Sequence, residues 1–420
     1  MAGMRRSSVS LTQKTVRSIR LFGLLVAQLC AYSMLSALCF ACPLYLFECS
    51  GSSTLYGAVA AIAFIPGVLA TPVGGILADR GRHRGVLVVL GIVLMAASLL
   101  FIPMKRSLPL AIVVAAMLCV QYGIQSLLKP MLQIETVRMT GPEKVERATA
   151  LVSQIIMMSN ILGPVVGTAV YGCFGIDTLC ETAALTFTIS ALLFGGALKQ
   201  NASSETMGDG ATRTTRRNDF RELIRYLSQN SSLLVVFLIA AILNLALVGL
   251  TIGAPVIVAK HLGMQSSFVG IIEMAMGLGG LVGSGLVGIW PHRFSFKGIC
   301  RYVAMICFGV VPIIVTLLSG PDELAFAVLA AGSAWVMAWA SITSVEIVSF
   351  VQRSAPKELC GKVLALVYMM LSCATPIGQL VYGLAYDRWT PAIVFAGMFA
   401  VLTLTTALFY RLKSRLWRMS

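Results

Sequence analysis

Charge is scarce in this chain. Only 12% of its 420 residues are Asp, Glu, Lys or Arg, and acids are the rarer sign, 17 against 32 basic residues. A soluble globular chain carries about a quarter charged residues, and long soluble chains divide into domains rather than enlarge one apolar core. The shortage excludes a soluble enzyme, a nucleic-acid binder and a secreted disulfide scaffold. Histidine is rarer still. His83, His261 and His292 are the whole supply, and all stand near the ends of apolar runs. No His/Ser/Asp or Cys/His cluster follows from them, so neither an enzyme nor a metal centre is expected. No G-x-x-x-x-G-K-[ST] loop occurs, so ATP is not the direct energy source and no cofactor is expected. The eleven cysteines are scattered, mostly within apolar runs. Cys173 and Cys180 flank one short loop, where two free thiols are expected and a disulfide is the alternative.

What fills the chain instead is apolar sequence, 58% of all residues, with a mean hydropathy of +0.87. A membrane-spanning helix needs about 20 mostly apolar residues. Twelve such runs can be marked, at 21–48, 54–78, 86–103, 108–135, 147–172, 178–198, 232–259, 267–290, 297–319, 322–350, 360–386 and 391–411. The first is too long for a signal-peptide core and has no clear cleavage site, so it reads as a retained span. Cytoplasmic loops collect Lys and Arg. With the N-terminus inside, 27 basic residues fall on cytoplasmic segments and only Lys105, Arg106, Lys260 and Arg388 on external ones. Both termini are therefore expected in the cytoplasm of a cell-membrane protein. The net charge of +15 becomes a topology signal and calls for no nucleic-acid partner. The sequons at Asn201 and Asn230 fall on the cytoplasmic side and should stay unmodified.

The segment 199–231 is the only sizeable polar stretch. It divides an N-terminal six-span half, 1–198, from a C-terminal half, 232–420. Its end places Phe220, Leu223, Ile224 and Leu227 on one face of a helix, which fits an amphipathic helix lying on the membrane surface. The halves form a weak repeat. Arg80, Arg82 and Arg84 after span two are echoed by Arg293 and Lys297 after span eight, and Pro164 in span five by Pro376 in span eleven. Parallel six-span repeats are a common build of secondary transporters, with substrate bound near the midplane.

Three motifs carry a resemblance. Gly74-Gly-Ile-Leu-Ala-Asp-Arg-Gly-Arg-His-Arg84 joins spans two and three. It resembles the signature loop of the major facilitator superfamily, G-x-L-a-D-R-x-G-R-K, with Gly75, Leu77, Asp79, Arg80 and Arg84 matching and Arg82 standing where glycine is usual. Gly163-Pro-Val-Val-Gly167 resembles the superfamily's exporter motif, G-P-x-x-G. Proline bends a membrane helix and glycine permits close packing, and a generic kink is the plainer reading. Thr375-Pro-Ile-Gly-Gln379, Tyr382-Gly383 and Asp387, together with Asp219-Phe-Arg-Glu-Leu-Ile-Arg-Tyr-Leu, look like the branch holding macrolide-efflux and siderophore-export permeases. The resemblance implies that Gly75, Asp79, Arg80 and Arg84 act in gating and that Gly163, Pro164, Gly167, Pro376 and Gly378 shape bent helices. It also implies a central cavity between spans 1, 4, 7 and 10. One departure is that no arginine lies between Pro109 and Val137, where many proton antiporters carry one in span four.

Gly283-Ser-Gly-Leu-Val-Gly288 fits G-x-G-x-x-G, but a dinucleotide site requires a strand before it. Within a long apolar run, beside Gly279-x-x-x-Gly283, it reads as helix packing. An ionisable group inside a span is a functional hypothesis by default. Glu273 is the deepest acid, ~9 Å from the centre of span eight at the helical rise per residue. It suits a proton carrier or a site for cationic substrates, and a structural acid is the equal alternative. Lys129, ~10 Å toward the inside of span four, is expected to pair with a carboxylate such as Glu135 or Asp79; snorkelling and an anionic substrate are the other readings. Glu135 and Glu346 read as gate or interface ion pairs. Gln125 and Asn244 either line the cavity or bond between helices, the second being the simpler reading.

The expected fold is an all-α bundle of twelve transmembrane helices in two pseudo-symmetric halves. The expected function is secondary active, proton-coupled export of a small amphipathic molecule by a monomer in the lipid bilayer. An importer or lysolipid flippase of the same fold, and a non-transporting sensor, are the alternatives.

Overall fold

The computed structural model describes the backbone of residues 2–79, 83–140, 145–197, 231–265, 267–354 and 360–416. Side chains are described chiefly over 19–71, 84–140, 151–197, 236–265, 267–351 and 373–411. The polar linker with its expected amphipathic helix, both sequons, and the side chains of Gly75, Asp79 and Arg80 lie outside the described residues.

Every described element is helical. In hydrocarbon each backbone N–H and C=O must be satisfied within the segment, and a helix does this. Helices α1 (Ala2–Ser50), α2 (Ser53–Asp79), α3 (His83–Ser107) and α4 (Leu110–Thr140) follow the first four apolar runs. Helices α5 and α6 together fill Val145–Ala197 and part at Gly175, whose φ of 82° and ψ of 172° interrupt the helix. Then come α7 (Ser231–Val256), α8 (Ser267–Ile289), α9 (Ile299–Ser319), α10 (Asp322–Ser354), α11 (Cys360–Arg388) and α12 (Pro391–Leu416). A single π-helical turn, Ile257–His261, extends α7.

Among the described residues ten runs are long and apolar enough to cross a membrane. One of them, Leu151–Ala197, has 47 residues. At 1.5 Å per residue that is roughly 70 Å, twice the hydrocarbon thickness. With the Gly175 break it holds two crossings, and α11 completes twelve helices. The loop expected between spans five and six is thus a single residue. Cys173 and Cys180 on either side of it are both free, the first exposed and the second buried.

The chain forms two compact units. The first holds α1 to Cys49, α2 from Ile62, and α3 to α6. In it α6 packs on α3 through Ala191 against Gly91, with Phe101, Phe187 and Phe194 buried. The second unit holds α7 to α12 and also Ser50–Ala61, the first turns of α2. In it α8 lies against α10 so closely that a Cβ on Gly279 or Gly283 would meet the carbonyl oxygen of Ala334 or Ala338 at 2.1 Å. Small residues of this kind let membrane helices approach where the apolar solvent gives no hydrophobic drive. Gly283 of the G-x-G-x-x-G stretch therefore packs helix on helix together with Gly279, whereas Gly285 and Gly288 have nothing within 4 Å. Phe296 stacks on Phe350 at 3.8 Å between centroids, and the Trp335 indole N–H donates to the Met305 carbonyl at 2.8 Å, joining α10 to α9. Leu69, Leu192, Phe308, Leu318 and Leu404 are exposed, as suits helices whose outer faces meet lipid.

Candidate functional site

Polar residues inside apolar helices define the candidate site, and each unit presents its own set. In the first unit Gln28 of α1 is fully buried and its amide donates to the Thr136 hydroxyl of α4 at 3.0 Å. Gln121 of α4 is equally buried and accepts from the Cys39 thiol at 3.1 Å. Ser33 donates to Ser159 at 3.2 Å, tying α1 to α5. These bonds run between helices, as a desolvated amide demands. Cys39-Phe-Ala-Cys42 sets two cysteines at C-x-x-C spacing along α1. Both thiols are free, and among the described residues no group of His, Cys, Asp or Glu could hold a metal ion.

Gly163 and Gly167 do something more specific than bend α5. A Cβ on Gly163 would lie 2.3 Å from that of Ser36, and one on Gly167 would lie 2.8 Å from the Ala37 carbonyl oxygen. Pro164 lies between them, and its carbonyl accepts the Thr168 hydroxyl at 2.7 Å. The second unit repeats the theme with α11 on α7. Gly378 abuts Val248, and Tyr382 and Tyr386 fill the spaces over Gly249 and Gly253. Pro376 stands in α11 between Thr375 and Gly378, and the Thr375 hydroxyl donates to the Asn244 side-chain amide oxygen, Oδ1, at 3.2 Å.

Among the described residues, some in-span charges stand in ion pairs and others do not. Glu135, buried near the end of α4, pairs with Arg138 at 3.1 Å. Glu346, buried near the end of α10, faces Arg353 at 3.9 Å. These are short-range pairs on a single helix in each half. Lys129 has one of its expected partners, the Asp79 side chain, outside the described residues. It is exposed, with no carboxylate within 4 Å among the described residues, one turn along α4 from half-buried Gln125. Glu273 is half-buried on α8, within electrostatic reach of Tyr56 on α2. Of the gating motif, Arg84 is exposed in the first turn of α3.

One polar constellation was invisible as a unit in the sequence. Ser52 caps α2, its hydroxyl accepting from the Leu55 N–H at 3.2 Å. The Asp387 carboxylate, at the end of α11, accepts from the Ser53 N–H at 2.8 Å, the Thr54 N–H at 2.7 Å and the Ser52 hydroxyl at 2.9 Å. The first N–H groups of a helix lack intrahelical partners and carry the positive end of its dipole. Here the first two are taken by a carboxylate and the third by the capping serine. Lys260, on the π-helical turn, stands 3.8 Å from the same carboxylate and donates to the Gly51 carbonyl at 3.4 Å. Gly51 takes a φ of +64°, which a side chain would resist. Partial burial pushes the Asp387 carboxyl upward, but the donors from Thr54, Ser53 and Ser52 outweigh it and hold it at about 2.

A sequence-family description of the Major Facilitator Superfamily matches residues 24–378. The chain belongs to the major facilitator superfamily. It is accordingly a multi-pass membrane protein of a transporter family. Among superfamily members, macrolide efflux protein A of Streptococcus pyogenes is 21% identical over 349 residues, covering 82% of this chain and 84% of that protein. The superfamily fold also appears in solved structures. A bacterial homologue of the iron transporter ferroportin, in an inward-facing state, matches with a TM-score of 0.73 at 15% identity, over 93% of this chain and 98% of that one. A D-xylose–proton symporter matches with a TM-score of 0.66 at 15% identity, over 96% and 97%. At such identity these structures speak to the fold alone.

Proposed function

We propose that this superfamily member is a proton-driven exporter of a small amphipathic molecule, of macrolide-like or siderophore-like character, working by alternating access as a monomer in the cell membrane. The observation that carries the direction is the match to a macrolide efflux protein over most of both chains. Both termini are assigned to the cytoplasm from the 27 basic residues that gather on that side. We assign the proton to Glu273, an acid set well inside an apolar helix and half-shielded from solvent. A carboxyl there changes charge at a cost that depends on its exposure, so a change of exposure between states moves a proton. Gln125 and Lys129 on α4, and Asn244 on α7, are the polar groups assigned to substrate. Gly75, Asp79, Arg80 and Arg84 are assigned to the cytoplasmic gate. Gly163, Pro164 and Gly167 in α5, and Pro376 and Gly378 in α11, keep the helices close while shaping their bends.

The test is efflux of a panel of labelled amphipathic compounds from cells making the wild type or Glu273→Gln, each with and without a collapsed proton gradient. Gradient-dependent efflux that the variant loses is the expected result. Efflux indifferent to both changes overturns proton coupling through Glu273. Accumulation in place of efflux overturns export.

A further inference from the structure

We propose that Asp387 is a releasable latch at the external end of the bundle, holding the start of α2 to α11 and α7 and letting go when that end opens. The proposal rests on the alternating-access reading above, and the external placement rests on the same basic-residue count.

Three observations lead to it. First, α2 is divided in its allegiance: its turns up to Ala61 pack with α7–α12, while its course from Ile62 packs with α1 and α3–α6. A helix shared in this way has to shed one set of neighbours if the halves change their relation. Second, what holds its start is polar and solvent-reachable. Asp387 retains 23% of its side-chain exposure and Lys260 51%. The bonds they make to Ser52, Ser53, Thr54 and Gly51 can be handed to water one by one, which an interlocked apolar seam does not allow. Third, the seam beneath is smooth. Gly57 and Gly383 face each other across it, a Cβ on either meeting the other's Cα at 3.1 or 3.2 Å. A Cβ on Gly57 would also meet the Gln379 carbonyl oxygen at 2.2 Å. With glycine on both sides, neither of these two residues has a side chain to withdraw as the helices part, and the Thr54 hydroxyl's 3.5 Å bond to the Gly383 carbonyl is one more that water can replace. Charge supplies the hold instead: a carboxylate on a helix N-terminus, with charge-assisted bonds and a lysine alongside. Lys260 rides on the π-helical turn closed by the Leu262 N–H and the Ile257 carbonyl at 2.8 Å, a local widening of the kind that recurs at functional positions.

A plain helix cap and a latch predict different results on neutralising the carboxylate. The experiment is hydrogen–deuterium exchange by mass spectrometry on the full chain in nanodiscs, comparing wild type, Asp387→Asn, Asp387→Glu and Lys260→Met. For Asp387→Asn the expected result is exchange roughly tenfold faster at 53–55, as for loss of a cap. Slower exchange at the opposite ends of α4 (132–140) and α10 (343–351) accompanies it as the equilibrium moves. Asp387→Glu restores both signals, and Lys260→Met moves both in the same direction by less. Faster exchange confined to 53–55 marks a static cap and overturns the proposal, as does no change anywhere. If Asp387→Asn fails to fold, Lys260→Met carries the test: absence of the paired shift overturns the latch. The readout needs no substrate, so failure of the export reading, seen as no efflux from wild-type cells, leaves a separate record.

Discussion

The Tyr386 hydroxyl donates to the Gly249 carbonyl at 2.8 Å, and the same ring covers Gly253 so closely that a Cβ there would lie 2.2 Å from the hydroxyl oxygen. Tyrosine and glycine are thus two halves of one α7–α11 contact. Overpacking a tight contact costs about 1–3 kcal/mol. Gly253→Ala should lower the thermal unfolding midpoint in detergent, and Tyr386→Phe in the same chain should recover part of the loss by removing the clashing atom. Additive losses in the double variant would contradict the contact.

The α8–α10 seam gives a sharper contrast along one glycine-rich stretch. Gly279→Ala and Gly283→Ala place a methyl group against backbone that cannot yield easily, and each should cost about 1–3 kcal/mol. Gly285 and Gly288 have open space around them, so alanine there should stay within about 0.5 kcal/mol of wild type. Folded yield and unfolding midpoint of the four variants check this. A nucleotide-binding stretch would show no such alternation.

Lys129 is exposed within an otherwise apolar helix. Its removal breaks no ion pair with a described carboxylate. Lys129→Met should therefore leave the unfolding midpoint within about 0.5 kcal/mol of wild type, while changing which charged compounds are carried. A large loss of stability would show that the side chain is structural.

The pH response of the α2 cap follows from the sign of its shift. Asp387 is held at about 2, below the ~3.9 of a free aspartate. A depressed carboxyl contributes stability that is complete above its unfolded value and is lost as pH falls through the folded one. Between about pH 5 and pH 8 the protection factors at 53–55 should be constant, falling only as pH drops below about 4. A decline between about pH 8 and pH 5 would mean that the cap itself senses protons.

Much of the architecture is legible in the sequence because apolar runs of spanning length have few alternatives in a bilayer. The marked run 54–78 and the observed helix Ser53–Asp79 agree within a residue at each end. The packing role of Gly279 and Gly283 is legible for the same reason, since glycines spaced by four in an apolar helix make a flat face. The α2 cap is only half legible. Ser52, Ser53 and Thr54 announce a helix start, but the carboxylate that completes it comes from more than 330 residues away, and no local pattern points so far. Lys129 shows the opposite limit. Depth in a span argues for pairing, yet whether a carboxylate lies within reach depends on the rotation of α4, which its weak amphipathicity does not set. The Gly175 break falls inside the short connection marked between the runs 147–172 and 178–198; that only one residue there leaves the helical conformation is what the sequence does not show.

That break has a mechanical consequence. One residue reaches at most about 3.6 Å, so α5 and α6 are coupled with no slack. A tilt of α5 is delivered to α6 at once, and through Ala191 and Gly91 to α3. At this corner the bundle has a rigid crank.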